Sequence, residues 1–425
     1  MKSTLALARS FDRPVRLLLV NQLTINTGFY MLMPYLAGHL SGTLALPAAL
    51  VGLVLGIRNL SQQGMFLVGG TLADRLGYKP MIVTGCGLRT VAFLLLAMAD
   101  SLFALVVASA LTGFAGALFN PAVRAYLAQE AGERKVEAFA AFNAFYQLGI
   151  LIGPLIGLVL NGMAFKLVCL VAGLMFAALT IAQMRALPAQ AKEQPQERRA
   201  VLLDWREALT NRPFLLFSLA MIGSYVLNFQ VYLSLPLEIR RVTASELGVT
   251  LIFVVSGLMT IAGQARMTAW AARRWRPPQA ITWGLVLTGL AFTPLALAAP
   301  LASAATTPVG GITHALLLLP VLGTTVLLSL ATMIIYPFEM ATIVTVGASR
   351  MVATYYGLYS TLAGIGIAIG NLLTGWALDL GTQVSLPSLP WLALALIGLG
   401  CAVAVKALDR SGRLATSPQT APTPA

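Results

Sequence analysis

The stretch "NTGFYMLMP", residues 26–34, has a counterpart in "NFQVYLSLP", residues 228–236. Each sets Asn, Tyr and Pro at intervals of four. Residues four apart lie on one face of a helix, so Asn26, Tyr30 and Pro34 would make one stripe and Asn228, Tyr232 and Pro236 another. Gln22 and Tyr225 lengthen the two stripes. Both copies lie in strongly apolar surroundings, and the same polar pair in two such settings points to one unit used twice.

Other marks recur in the same order. Pro121 in "FNPAVRAYLA" matches Pro337 in "IYPFEMATIV", and "GILIGPLIG" (residues 149–157) is echoed by "GIAIGNLLTG" (residues 366–375). Between the copies, residues 185–212 form the longest polar interval, with Pro188 and Pro195. We therefore expect an N-terminal six-helix bundle over 1–184, a cytoplasmic linker over 185–212, and a C-terminal six-helix bundle over 213–410. Residues 411–425 have too little apolar content to pack and are expected as a disordered tail. Weak internal symmetry of this kind is a signature of transporters, whose parallel repeats enclose a midplane site.

Composition sets the solvent. Of 425 residues 58% are hydrophobic and 10% charged, with mean hydropathy +0.82, far from the roughly 25% charged residues of soluble domains. Apolar runs long enough to cross a bilayer, about 20 residues, recur from end to end. Their expected bounds are 15–37, 46–72, 81–99, 102–124, 138–160, 163–184, 213–236, 247–270, 279–299, 313–337, 352–378 and 387–407. Lipid cannot satisfy open backbone groups, and the runs are too long for barrel strands, so the fold class is an all-α integral membrane protein with twelve transmembrane helices.

The net charge of +13 is a topology signal. Lys and Arg gather in alternate loops: Arg13 and Arg16 before the first run, Arg75 and Lys79 after the second, Arg134 after the fourth, Arg198 and Arg199 after the sixth, Arg273 and Arg274 after the eighth. The positive-inside rule then places both termini in the cytoplasm; Arg240 and Arg241 are the exception. Charge distributed this way argues against nucleic acid as a partner. Cys86, Cys169 and Cys401 fall inside the runs and are expected to be packing residues, and the first run is expected to stay uncleaved.

"GGTLADRLGYKP", residues 69–80, is the most specific stretch. Its small residues permit a tight turn, and Asp74 is a carboxylate at a helix end, able to accept from a helix N-terminus for about 0.3 to 1 kcal/mol, or up to about 2 when partly buried. Gly70, Asp74, Arg75, Gly77 and Lys79 fit G-x-x-x-D-R-x-G-x-K, which resembles the loop signature of the major facilitator superfamily. The resemblance implies a loop that latches the cytoplasmic side in the outward-facing state, with Glu130 joining the charge cluster. The matching place in the second half, "AARRWRPPQ", has Ala272 where an acid is expected, so the latch should be asymmetric.

Gly149, Gly153 and Gly157 form a smooth helix ridge and Pro154 bends it. Tight packing explains such a ridge by itself; G-x-x-x-G-P-x-x-G also resembles the motif of antiporters and exporters in the superfamily. With "LGIRNLSQQG" and the "LPW" at Leu389–Trp391, the chain looks like the MdtH-type multidrug efflux branch. It departs from many proton antiporters of the superfamily in having no Arg in the middle of the fourth run, so their coupling scheme does not transfer.

Charges within the membrane cost about 2.5 to 3.5 kcal/mol each at the centre and mark function by default. Arg58 and Arg89 are the clear cases; Arg124 and Glu339 lie at nearly equivalent points of the two repeats; Asp100 and Asp379 lie near outer ends. No acid occupies the centre of a run, so Arg58 and Arg89 would favour anionic or zwitterionic groups over cations. The alternative is that each Arg satisfies nearby carbonyls, or that Arg89 snorkels inward. Glu339, with Arg124, is the expected proton-coupling site. The stripes carrying Asn26, Tyr30, Tyr225, Asn228 and Tyr232 have two readings as well, helix glue or cavity walls.

No phosphate-binding loop is present, so ATP is excluded as the energy source and transport would draw on a gradient. The expected protein is a secondary transporter of a bacterial inner membrane, without cofactor or metal and not an enzyme, exporting small amphipathic drug- or siderophore-like molecules by proton antiport as a monomer in contact with lipid. The competing readings are an importer or uniporter of an anionic or zwitterionic metabolite and, more remotely, a membrane enzyme or lipid-handling protein.

Overall fold

The computed structural model describes residues 8–99, 101–188, 201–302, 304–305, 311–347 and 352–414. Asp100, the linker residues 189–200, the expected tail from 415 and the side chain of Asp74 lie outside the described residues. All regular structure among the described residues is helical. The helices are α1 (Arg13–Gly42), α2 (Ala48–Gln63), α3 (Phe66–Leu76), α4 (Tyr78–Met98), α5 (Leu102–Glu130), α6 (Lys135–Met163), α7 (Phe165–Ala186) and α8 (Val201–Thr210). There follow α9 (Arg212–Asn228), α10 (Ser234–Thr243), α11 (Leu247–Arg274), α12 (Pro277–Leu290), α13 (Thr293–Ala298), α14 (Gly311–Val346), α15 (Val352–Gln383) and α16 (Leu389–Arg410).

Ten helical segments among the described residues are long and apolar enough to cross a membrane. α1 and the pair α2/α3 are not among them. α1 carries Asn21, Gln22 and Asn26 on its buried side, and the run expected over 46–72 is interrupted at Gly64–Met65, between α2 and α3. α1 has 30 residues, about 45 Å at 1.5 Å per residue.

The second copy of the opening stretch folds differently from the first. Residues 26–34 lie in the continuous helix α1, whereas α9 ends at Asn228, a 3₁₀ turn covers Phe229–Tyr232, and α10 starts at Ser234. Asn228, Tyr232 and Pro236 therefore do not share one helix face, contrary to the expectation from spacing. A tighter turn advances the chain by fewer residues per revolution and rotates Tyr232 out of the register of Asn228.

Glycines set the closest contacts. A Cβ at Gly149 would stand 2.6 Å from the Cβ of Asn26, and one at Gly153 would stand 2.7 Å from the Cβ of Tyr30, so the ridge of α6 lies against the backbone of α1. The corresponding glycines of α15, Gly366 and Gly370, face Ile222 and Val226 of α9. A second seam joins α2 to α15, where Gly56 meets the backbone of Ala368 at 2.9 Å from its virtual Cβ and Gly364 meets Gln63 at 2.8 Å. Without an apolar driving force between helices in lipid, such close backbone approach is what holds them. Gly77, between α3 and α4, has φ of 98°, a conformation open to glycine and costly for other residues.

Candidate functional site

Two ends of the helix layer can be told apart by their contacts. At the near face, Arg134 donates to Ser10 at the start of the chain and Asn211 donates to Val346 and Tyr355. At the far face, the backbone amides of Ala48 and Ala49 donate to the two carboxylate oxygens of Asp379, both at 2.9 Å, and Arg241 donates to the carbonyl of Ala302. A cavity of about 900 Å³ lies between the two seams. Its wall runs from Tyr30 and Tyr232 toward near-face residues such as Arg124, Met340 and Tyr356.

The far end is sealed. Tyr232 donates to the hydroxyl of Tyr30 at 3.3 Å, and Tyr35 donates to the carbonyl of Pro154 and lies 2.6 Å from the hydroxyl of Thr250. Beyond them, the guanidinium of Arg240 lies over the notch made by Gly38 and Gly42 and pairs with Glu246. A Cβ at Gly38 would stand 2.7 Å from the Cδ of Arg240, so only glycine leaves room for that arginine. Glu246, between α10 and α11, is half-buried, and the loss of water pushes its carboxyl above the ordinary range despite the pull of Arg240.

Arg58 and Arg89 both line the cavity and are 6% and 4% exposed. Arg58 donates to the side-chain oxygens of Asn59 (2.7 Å) and Gln62 (2.6 Å) and lies 4.5 Å from the centre of the Phe29 ring. Arg89 stands among the rings of Phe29, Phe119 and Phe176, at 5.9, 5.7 and 5.7 Å. Among the described residues neither forms an ion pair with a carboxylate. The opposite wall is polar and uncharged: Ser329 donates to Ser256 at 3.1 Å, and Thr332 donates to Asn228 at 2.6 Å.

Glu339 is buried at 4% exposure. It accepts from the hydroxyl of Tyr359, whose ring meets that of Tyr225 edge to face at 5.7 Å. Arg124 is exposed on the cavity side and is not paired with Glu339 among the described residues. Tyr359 thus takes the place the sequence reading gave to Arg124.

The remaining expected residues fall elsewhere. Arg75 is exposed and Lys79 half-buried at the near face, Glu130 lies beside Tyr126, and a Cβ at Gly70 would meet nothing within 4 Å. Asn26 lines the cavity, while its side chain donates to the carbonyl of Gln22 within its own helix. Sequence reasoning missed Phe29, Tyr35, Tyr359 and the role of Arg240. Phe29 sits within the opening stretch and Arg240 was the exception to the charge pattern, so both had signals; Tyr359 had none.

A family model described as Major Facilitator Superfamily matches residues 18–370. The chain belongs to the major facilitator superfamily. This transporter is 47% identical over 409 residues to an uncharacterized MFS-type transporter of Mycobacterium tuberculosis, covering 95% of each chain. It is 30% identical over 393 residues to the multidrug resistance protein MdtH of Yersinia enterocolitica, covering 90% of this chain and 91% of the other. Its fold matches a peptide transporter POT solved in complex with sulfate, with a TM-score of 0.77 at 15% identity over 97% of this chain and 99% of that one. It also matches a variant of the nucleoside transporter NupG, with a TM-score of 0.74 at 16% identity over 92% and 99%. It is a multi-pass membrane transporter with bacterial relatives, not an enzyme.

Proposed function

We propose that the protein is a proton-coupled exporter of small amphipathic molecules, built as two six-helix bundles that alternate access to the central cavity. In this reading α1 is the first crossing, α2 with α3 the second, and the ten apolar segments complete twelve. The parallel seating of the α6 glycines on α1 and the α15 glycines on α9 supports the two-bundle reading. Both termini and the near face are cytoplasmic on the charge pattern, so the cavity is drawn in its inward-open form. The protein works as a monomer surrounded by lipid.

The observation that carries the reading is a cavity closed at the far end by Tyr30–Tyr232 and Arg240–Glu246 and lined down to the near face. Export requires that far seal to break while a near seal forms. The Asp74 loop is the proposed near seal, and the open space at Gly70 suits a contact made only in the outward-open form. Glu339, caged by Tyr359 and Tyr225, is the proposed proton carrier. The likeness to MdtH supports amphipathic drug-like solutes and outward flux.

Purified protein in liposomes, loaded with a neutral amphipathic dye and given a proton gradient, tests this. Proton-driven dye movement against its gradient, on the side opposite to proton entry, is expected. Movement in the same direction as protons would replace export by import.

A further inference from the structure

Resting on the transporter reading above, we propose that Arg58 and Arg89 form one anion-binding subsite that takes the carboxylate of a transported amphipathic acid or zwitterion. The two side chains come from different helices, α2 and α4, and both stand against the ring of Phe29 on the cavity wall. Two like charges against one ring, each more than nine-tenths buried, repel one another and have lost most of their water. Such charges persist in a membrane protein when they are paired.

The partners present do not supply that pairing. Asn59 and Gln62 give Arg58 neutral amide oxygens, which fix its orientation without cancelling its charge. Phenylalanine faces attract the Arg89 cation but carry no net charge to cancel it. Among the described residues, the buried Nε of Arg58 and the buried Nε of Arg89 have no hydrogen-bond partner. A guanidinium offers parallel N–H groups matched to a carboxylate, which supplies both the missing acceptors and the missing charge. The facing wall of Ser256, Ser329, Thr332 and Asn228 holds hydroxyl and amide groups, so among the described residues no acid lines the cavity across from the site. The rings of Tyr30 and Tyr232 lie on the cavity wall, backed by Phe253 at 6.2 and 5.6 Å, and form a roof for the body of the solute.

The test compares 2-naphthoic acid with its methyl ester, which keeps the ring body and removes the charge, by calorimetric titration of the full-length protein in detergent, with sodium chloride as a third ligand. The acid is expected to bind at least about tenfold more tightly than the ester, as charge-assisted hydrogen bonds to a buried guanidinium allow. Arg58→Gln and Arg89→Gln should each bring the acid-to-ester ratio to about one, and Arg58→Lys and Arg89→Lys, which keep the charge, should restore part of it. Equal binding of acid and ester, preference for the acid surviving both Gln substitutions, binding of chloride alone, or no binding of the acid would each overturn the subsite. Dye export is read separately: export without acid preference removes the subsite and leaves the exporter, whereas acid preference without export does the reverse.

Discussion

Gly153 of α6 lies against Tyr30 of α1, the two residues that the sequence singled out in separate motifs. The ridge and the stripe are one contact: the glycines let α6 come so near that Asn26 and Tyr30 are held at the cavity wall. Helix glue and cavity wall, kept as alternatives for the stripe, are both met by α1, which packs on one side and faces the cavity on the other.

That contact predicts unequal effects of adding one methyl group. At Gly153 a Cβ would stand 2.7 Å from the Cβ of Tyr30 and 2.9 Å from the carbonyl of Thr27, so backbone must move. Gly153→Ala should destabilise the protein by about 1 to 3 kcal/mol, as overpacking does, read as a lowered melting temperature in detergent. Gly70→Ala, with open space around it, should leave the melting temperature within error and slow transport if the near seal needs that glycine. Equal melting losses in the two variants would count against the packing argument.

The far seal predicts a second asymmetry. Gly42→Leu would place a side chain where the Arg240 guanidinium lies. The inward-open form should lose population, seen as increased labelling of cavity cysteines from outside, while Arg240→Ala shifts it the same way by removing the clamp and its pair with Glu246. Unchanged labelling in both variants would show that the clamp does not hold the seal.

The clamp also carries a pH dependence whose sign follows from burial. Desolvation raises the carboxyl of Glu246 and Arg240 lowers it, with desolvation the larger cause. Tyr35 is a further titratable group within electrostatic reach of it. When the far face opens, the carboxyl is hydrated and returns toward its ordinary range. The state with the higher value binds the proton more tightly, so acidification through and above the ordinary carboxylate range favours the closed far face and alkalinity favours opening. Spin-label distances between the far ends of α1 and α11 should shorten as pH falls, and Glu246→Gln should flatten the trend. Opening on acidification would reverse the assignment.

Coupling is expected to follow Glu339. Glu339→Gln keeps the shape and the hydrogen bond from Tyr359 yet removes the proton to be carried. Uphill dye export should fall by about tenfold or more, since an ionisable group at this depth acts through its charge, while dye exchange without a proton gradient continues. Arg124→Ala should have a smaller effect, because Arg124 is exposed and does not pair with Glu339 among the described residues. Loss of exchange together with export in Glu339→Gln would assign the residue to the cavity wall.

Much of the helix order was legible because lipid imposes it: long apolar runs can satisfy their backbones in one way only. The position of Arg58 and Arg89 on the cavity followed from the cost of burying a charge. What sequence spacing misread was local geometry. Periodicity of four assumes an unbroken helix, and the 3₁₀ turn at Phe229–Tyr232 ends that assumption without any change in composition. The partner of Glu339 was misread for a related reason. Arg124 and Glu339 are equivalent in sequence, yet Tyr359 comes from α15, the next helix along the chain, and composition does not show which of its faces meets α14. Asp74 remains a reading of the loop motif, with its side chain outside the described residues.

Accessibility of a single engineered cysteine tests the central claim most directly. In a background without Cys86, Cys169 and Cys401, Ser256→Cys places a thiol on the cavity wall. Labelled with an impermeant maleimide in membrane vesicles of both orientations, it should react from the cytoplasmic side at rest and from the outer side when Gly42→Leu is added. Reaction from one side alone, whatever the variant or gradient, would contradict a cavity that opens by turns to the two faces.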